Sequence, residues 1–240
     1  MRADLFLVAQ GYAKSRSEAQ AAIRLGHVRA DGATILKASQ AIAPHAAIEY
    51  EPPHAYVSRG GVKLKAALEH FALSPEGRLC IDLGASTGGF TQVLLEGGAS
   101  RVHAVDVGQG QMDAGLAKDP RVQQHQGLNA RALSATHVRE PIGAITADLS
   151  FISLELALPP ALLLAAPHAW LVALVKPQFE VGRAAIGKGG VVRDKDAREA
   201  AVAKIAALVT KCGWTILGHL ESPIAGGDGN VEYLLAARKT

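Results

Sequence analysis

Three carboxylates and one glycine cluster are the residues whose types and spacing suggest chemistry. Asp82 lies in Cys80-Ile81-Asp82-Leu83, directly before Gly84-Ala85-Ser86-Thr87-Gly88-Gly89-Phe90. Glycines in such a turn admit positive φ and let the backbone come close to a ligand. Their G-x-x-x-G-G spacing differs from the G-x-G-x-x-G of a dinucleotide pyrophosphate site, which argues against an oxidoreductase. Asp106 ends the next apolar run, about 20 residues further on, where a carboxylate can accept from both ribose hydroxyls of an adenosine. Asp148 ends a later run, in Ala147-Asp148-Leu149-Ser150-Phe151. A strand-end or helix cap is the plain alternative for each acid, but acids at the same end of successive strands mark the mouth of a site.

Such residues need a parallel sheet beneath them. Apolar runs at 79–83, 101–107, 144–148, 169–175, 214–219 and 232–237 predict strands, with a short one near Val122. Helical patterns lie between them, clearest over 90–96 and 196–212, and a further helix over 62–71 precedes the first strand. This alternation predicts βαβ units, with ligands at the carboxyl ends of the strands. With 49% hydrophobic residues, the chain can fill such a core. Cys80 and Cys212 read as free thiols without metal-ligand spacing, so no metal is expected. The most apolar stretch, 154–166, carries Glu155 and Pro159-Pro160 and is too short and broken to span a bilayer. No secretory pattern follows Arg2 and Asp4. A cytoplasmic protein without a membrane partner is expected.

Residues 1–51 read as a separate small α+β unit. Leu5, Phe6, Val8 and Ala9 suit a short helix ending near Gly11. Ser15 and Glu18 have the spacing of a capping box, and Ala19, Ala22 and Ile23 give the next helix an apolar face that Gly26 closes. Asp31-Gly32 between two extended runs signals a tight hairpin. Net charge is only +3, but Arg2, Lys14, Arg16, Arg24, Arg29, Lys37 and Arg59 crowd the first 60 residues. Such cations neutralise phosphates and make nucleic-acid binding salt-dependent. Aromatic content of 5% argues against extensive base stacking. Recognition of a nucleic-acid backbone is expected. Pro52-Pro53 break regular structure, so 52–58 reads as a linker and 59–240 as the second domain. Residues 181–198 are glycine-rich and carry Arg183, Lys188, Arg193 and Lys195, which predicts a mobile substrate loop.

Six blocks in order carry a resemblance: 56–64 (Tyr-Val-Ser-Arg-Gly-Gly-Val-Lys-Leu), 82–91, 105–111, 148–154, 175–180 and 229–233. Together they resemble the TlyA family of bacterial rRNA cytidine 2′-O-methyltransferases, whose members are often also labelled hemolysins. The resemblance implies a Rossmann-like seven-stranded methyltransferase sheet behind a small αL-type RNA-binding domain. It implies S-adenosylmethionine as cofactor and ribosomal RNA within ribosomal subunits as partner. The family holds longer members that modify both subunits and shorter ones limited to the large subunit, and 240 residues fit the shorter kind. The implied catalytic set is Lys63, Asp148, Lys176 and Glu232. The implied cofactor set is Asp82, Gly84, Ala85, Ser86, Thr87, Gly88, Gly89, Phe90, Asp106, Val107 and Asp148. RNA contacts are expected from Arg2, Lys14, Arg16, Arg24, Arg29, Arg59, Arg183 and Lys188.

The chemistry fits those types. A sulfonium already activates the methyl carbon, so the protein must align the ribose hydroxyl and take its proton. Lys176 is the candidate base, acting from its neutral form. Lys63 would assist it or stabilise the developing alkoxide, while Asp148 and Glu232 orient the amines. Which lysine is neutral, and which acid faces which amine, is open at this point.

Overall fold

The computed structural model describes residues 1–240, the side chain of residue 184 excepted. The chain divides into two compact units, Met1–Ala55 and Tyr56–Thr240.

In the first unit, α1 (Ala3–Ala9) and α2 (Arg16–Arg24) are followed by the short strands β1 (Val28–Ala30), β2 (Ala33–Thr34) and β3 (Ile48–Tyr50). The strands form an antiparallel sheet in the order β2-β1-β3. Asp31 and Gly32 both have positive φ, 50° and 77°, which lets the hairpin close in two residues. Ser15 caps α2 by accepting from the Glu18 N–H at 3.2 Å. The Glu18 carboxylate reaches back to the Lys14 N–H at 3.1 Å, one residue beyond the expected capping-box partner. β3 is only Ile48-Glu49-Tyr50, too short for its alternation to be legible as a strand. It pairs with β1 through Arg29 opposite Glu49, and Tyr50 donates to Glu18 at 3.0 Å.

The second unit runs α3 (Gly60–His70), β4 (Leu79–Leu83), α4 (Gly89–Glu96), β5 (Arg101–Asp106), β6 (Val122–Gln126), β7 (Ile142–Ala147), α5 (Leu154–Leu163), β8 (Ala165–Val175), α6 (Pro177–Glu180), α7 (Lys195–Lys211), β9 (Trp214–Glu221) and β10 (Tyr233–Lys239). Its seven strands lie in the order β6-β5-β4-β7-β8-β10-β9. The β6-β5-β4-β7-β8 pairings are parallel, and β10 runs antiparallel to both of its neighbours. Both faces are covered, which is why the strands read as unbroken apolar runs. Cys80, Trp170, Val172 and Leu174 pack with α3 and α4 on one side. Ile81, Ile145, Leu171 and Ala173 pack with α5 and α7 on the other. Each large side chain removed from water this way contributes ~1.5–3 kcal/mol.

One segment holds against its local propensity, and another departs from the sequence expectation. Residues 154–163, within the stretch too short and broken to span a bilayer, form α5 despite Pro159 and Pro160. Burial of Leu154, Ala157, Leu158, Ala161 and Leu162 outweighs the lost helical hydrogen bonds. The buried Glu180 carboxylate anchors its start, accepting from the Leu154 N–H at 2.8 Å and the Ser153 hydroxyl at 2.6 Å. Residues 56–58, expected as linker, pack within the second unit. The Val57 N–H donates to Gln92 at 2.7 Å. A Cβ on Gly61 would lie 2.3 Å from the Tyr56 ring, so glycine there admits the Tyr56 side chain.

Candidate active site

The site lies at the carboxyl ends of the central strands. β4 turns there into the glycine loop, and Gly84 at φ 80° is the tightest point. A Cβ on Gly84 would sit 2.4 Å from the Asp148 carbonyl oxygen, so only glycine lets the ends of β4 and β7 approach. Asp148 is thereby set against the loop. A cleft of about 200 Å³ opens between them, lined by Ser58, Gly60, residues 84–87, Gly89, Phe90, Asp148, Ser150 and Lys176. A smaller hollow shares Ala85 and Ser86 with it and is bounded by Ala104, Asp106, Gly108, Gly110, Gln111, Met112, Gln124 and Gln126.

Asp106 holds this second hollow. Its two oxygens accept from the Ser86 N–H at 2.8 Å and the Gly108 N–H at 2.7 Å. Ser86 is kept at φ 46°, a conformation that costs a non-glycine residue about 1–3 kcal/mol. Each carboxylate oxygen has a second lone pair left for a ligand hydroxyl. Val107 beside it is 65% exposed and outside the lining.

Asp82 sits below the loop rather than in the cleft. It is fully buried and accepts from the Thr91 hydroxyl at 2.7 Å and the Thr146 hydroxyl at 3.0 Å. Burial pushes its carboxyl up to about 6, against the pull of those two hydroxyls. The sequence places Asp82 within reach of a cofactor's amino-acid end, directly or through water, and in the structure it does not line the cleft. Asp82 instead ties β4, β7 and α4 beneath the loop.

The two lysines form two separate pairs. Lys176 follows β8, and its amine lies 2.6 Å from Asp148 Oδ1 and donates to the Ser150 hydroxyl at 2.8 Å. The contact with Oδ1 is an ion pair by distance, without hydrogen-bond angles. Lys63, in the first turn of α3, donates to Glu232 Oε2 at 2.5 Å, and both side chains are more than nine-tenths buried. The reversed strand explains how Glu232 reaches this edge. Tyr233 pairs with Val175, so the residue before β10 lies beside the residue after β8. A parallel β10 would have carried Glu232 to the opposite end of the sheet. The four residues of the implied catalytic set are thus brought to one sheet edge, with Lys176 and Asp148 bordering the cleft and Lys63 and Glu232 outside its lining.

Phe151 was not among the expected site residues and lies beside the cleft. It is 93% exposed at φ 64° and its ring centroid lies 5.3 Å from that of Phe179. A fully exposed aromatic on left-handed backbone, one residue from the cleft, is the signal, and it needs coordinates to be seen. Gln111, Met112 and Gln126 were also missed, because small hollows leave no spacing pattern.

The expected RNA cations divide. Arg2 donates twice to Asp4 at 3.0 Å and Arg16 once at 3.1 Å, with Gln20 adding a fourth bond at 2.9 Å. The Arg2 guanidinium holds the Asp4 carboxyl well below the usual range despite its burial. Arg16 and Gln20 thereby join α2 to Asp4 of α1, while Arg2 braces Asp4 from the start of its own helix. Arg29 donates to the Gly32 carbonyl at 3.1 Å and stays exposed. Arg24, Lys14, Arg183 and Lys188 are exposed, and Arg59 is half-buried.

Residues 56–239 match the FtsJ-like methyltransferase family and residues 1–48 match the S4 domain. The 16S/23S rRNA (cytidine-2′-O)-methyltransferase TlyA of Mycobacterium tuberculosis is 45% identical over 99% of this chain and 89% of its own length. The chain belongs to the FtsJ-like methyltransferase family, in its TlyA branch. The 23S rRNA (cytidine-2′-O)-methyltransferase TlyA of Campylobacter jejuni is 37% identical over 74% of this chain and 69% of its own. A solved structure from Streptococcus thermophilus, described as a hemolysin, is 38% identical with a TM-score of 0.80, covering all of this chain and 88% of its own. Membership makes S-adenosylmethionine the methyl donor. The cleft and the Asp106 hollow fit that group, offering a glycine cradle beside a carboxylate with free lone pairs. Among the described residues no helix is long and apolar enough to cross a membrane.

Proposed function

We propose that this enzyme transfers a methyl group to the ribose 2′-hydroxyl of a cytidine in ribosomal RNA, presented within the large ribosomal subunit. The observation that carries the reading is the Lys176–Asp148 pair on the wall of the cleft beside the glycine loop. Bound S-adenosylmethionine supplies an electrophilic methyl group. Residues 84–90 would hold it and Asp106 would accept from its ribose hydroxyls, with Asp148 on the wall of the same cleft.

The Lys176 amine, once the ammonium of the ion pair has released a proton to solvent, takes the proton of the 2′-hydroxyl, and Asp148 and Ser150 fix its direction. Lys63, held by Glu232 away from water, lends positive charge to the developing alkoxide. Phe151 gives the base of the incoming nucleotide a surface to stack on. Arg24, Arg29 and Lys14 of the S4 domain, with Arg59, Arg183 and Lys188, neutralise RNA phosphates. The Mycobacterium and Campylobacter relatives are both named for 23S rRNA, which supports the large subunit. The test incubates the protein with methyl-labelled cofactor and each purified ribosomal subunit separately. Label in large-subunit RNA is expected. Label in neither subunit, from protein that binds the cofactor, overturns the reading, and label in the small subunit alone overturns the choice of subunit.

A further inference from the structure

The segment between β9 and β10 holds a buried polar side chain that the chemistry above does not use. Asn230 is 1% exposed. Its Oδ1 accepts from the Val192 N–H at 2.9 Å and its Nδ2 donates to the Gly190 carbonyl at 3.0 Å. Its own carbonyl accepts from the Gly226 N–H at 2.9 Å. One amide thus satisfies a donor and an acceptor of a loop about 40 residues away in sequence. That loop carries Lys188 and Arg193 on either side of the clipped residues, both exposed. Asn230 also lies two residues before Glu232, where a Cβ on Gly226 would meet Glu232 Oε1 at 2.6 Å.

We infer that Asn230 is a positioning residue that clips the basic loop 187–193 to the entry of β10, so that Lys188 and Arg193 meet the RNA backbone in register with the catalytic edge. The inference rests on the proposed RNA methylation. Asparagine suits the task because it presents one donor and one acceptor on a short, rigid stem. Alanine there leaves the buried Val192 N–H unpaired and frees the Gly190 carbonyl, and the loop is released.

Asn230→Ala is expected to raise KM for the ribosomal substrate about tenfold or more, with kcat changed less than about threefold. Cofactor affinity stays within about twofold, since that site lies at other residues. In a Lys188→Ala/Arg193→Ala background the same substitution adds less than about threefold, because the loop then has little to present. A fall in kcat at unchanged KM overturns the inference, as does a full effect in the double-alanine background. Should Asn230→Ala fail to fold, Val192→Pro deletes the same bond from the loop side. Val191 at φ −99° and ψ 126° already suits a following proline. The same KM rise is expected, and a wild-type KM overturns the clip. Hydrogen exchange of the Val192 amide is read without any RNA. Slow exchange in the native protein and fast exchange in Asn230→Ala are expected, and equal rates contradict the clip whatever the methylation assay gives.

Discussion

Two lysine–carboxylate pairs stand at one edge of the sheet, and their surroundings differ. Lys63–Glu232 is closed off, with side chains 8% and 3% exposed. Lys176–Asp148 borders the cleft, with side chains 11% and 23% exposed. A charge pair out of water holds its geometry strongly and is costly to break from one side. A pair open to the cleft can exchange a proton with what enters it. The contrast assigns fixed electrostatics to the first pair and proton transfer to the second.

Breaking the open pair should give the largest effect on turnover. Lys176→Ala is expected to lower methyl transfer about 10²–10⁴-fold with cofactor affinity nearly unchanged, measured by label incorporation and calorimetry. Normal turnover would remove Lys176 from the mechanism. Breaking the closed pair should cost stability as well as activity. Glu232→Gln leaves a buried ammonium unpaired and should destabilise the fold by about 3–5 kcal/mol in denaturant titration. Lys63→Met combined with Glu232→Leu should recover most of that stability and none of the activity. If Asp148→Asn destabilises as much as Glu232→Gln, the distinction between the pairs is lost.

A smaller effect is expected below the cofactor loop. The Asp82 carboxyl titrates near pH 6 in the folded protein, above its ordinary value near 3.8. The fold therefore binds this proton more tightly than the unfolded chain does. The resulting stability is fully present below about pH 4 and is lost as pH rises through about 6. Asp82→Asn should flatten the pH dependence of Tm across that window. Asp4 has the opposite sign: its depressed carboxyl stabilises above about pH 4, and that stability is lost on acidification.

The strands were legible because a sheet covered on both faces leaves unbroken apolar runs, and β4, β5 and β7 stand within two residues of expectation. The three acids at their ends were legible for the same reason. The pairing of amines with acids was not. It depends on β10 running backwards, which places Glu232 beside Lys176 in space while the short bond goes to Lys63 from α3. The role of Arg2 and Arg16 was also hidden, since charge counting cannot show that buried Asp4 holds them both.

The central claim is that the cleft delivers methyl to a ribose oxygen and leaves the base untouched. RNA from labelled large subunits, digested to nucleosides and separated, tests it most directly. The wild-type enzyme should place its label in 2′-O-methylcytidine, and Lys176→Ala should leave that peak empty. Label in a base-methylated nucleoside would contradict the assignment of the cleft and of the lysine that borders it.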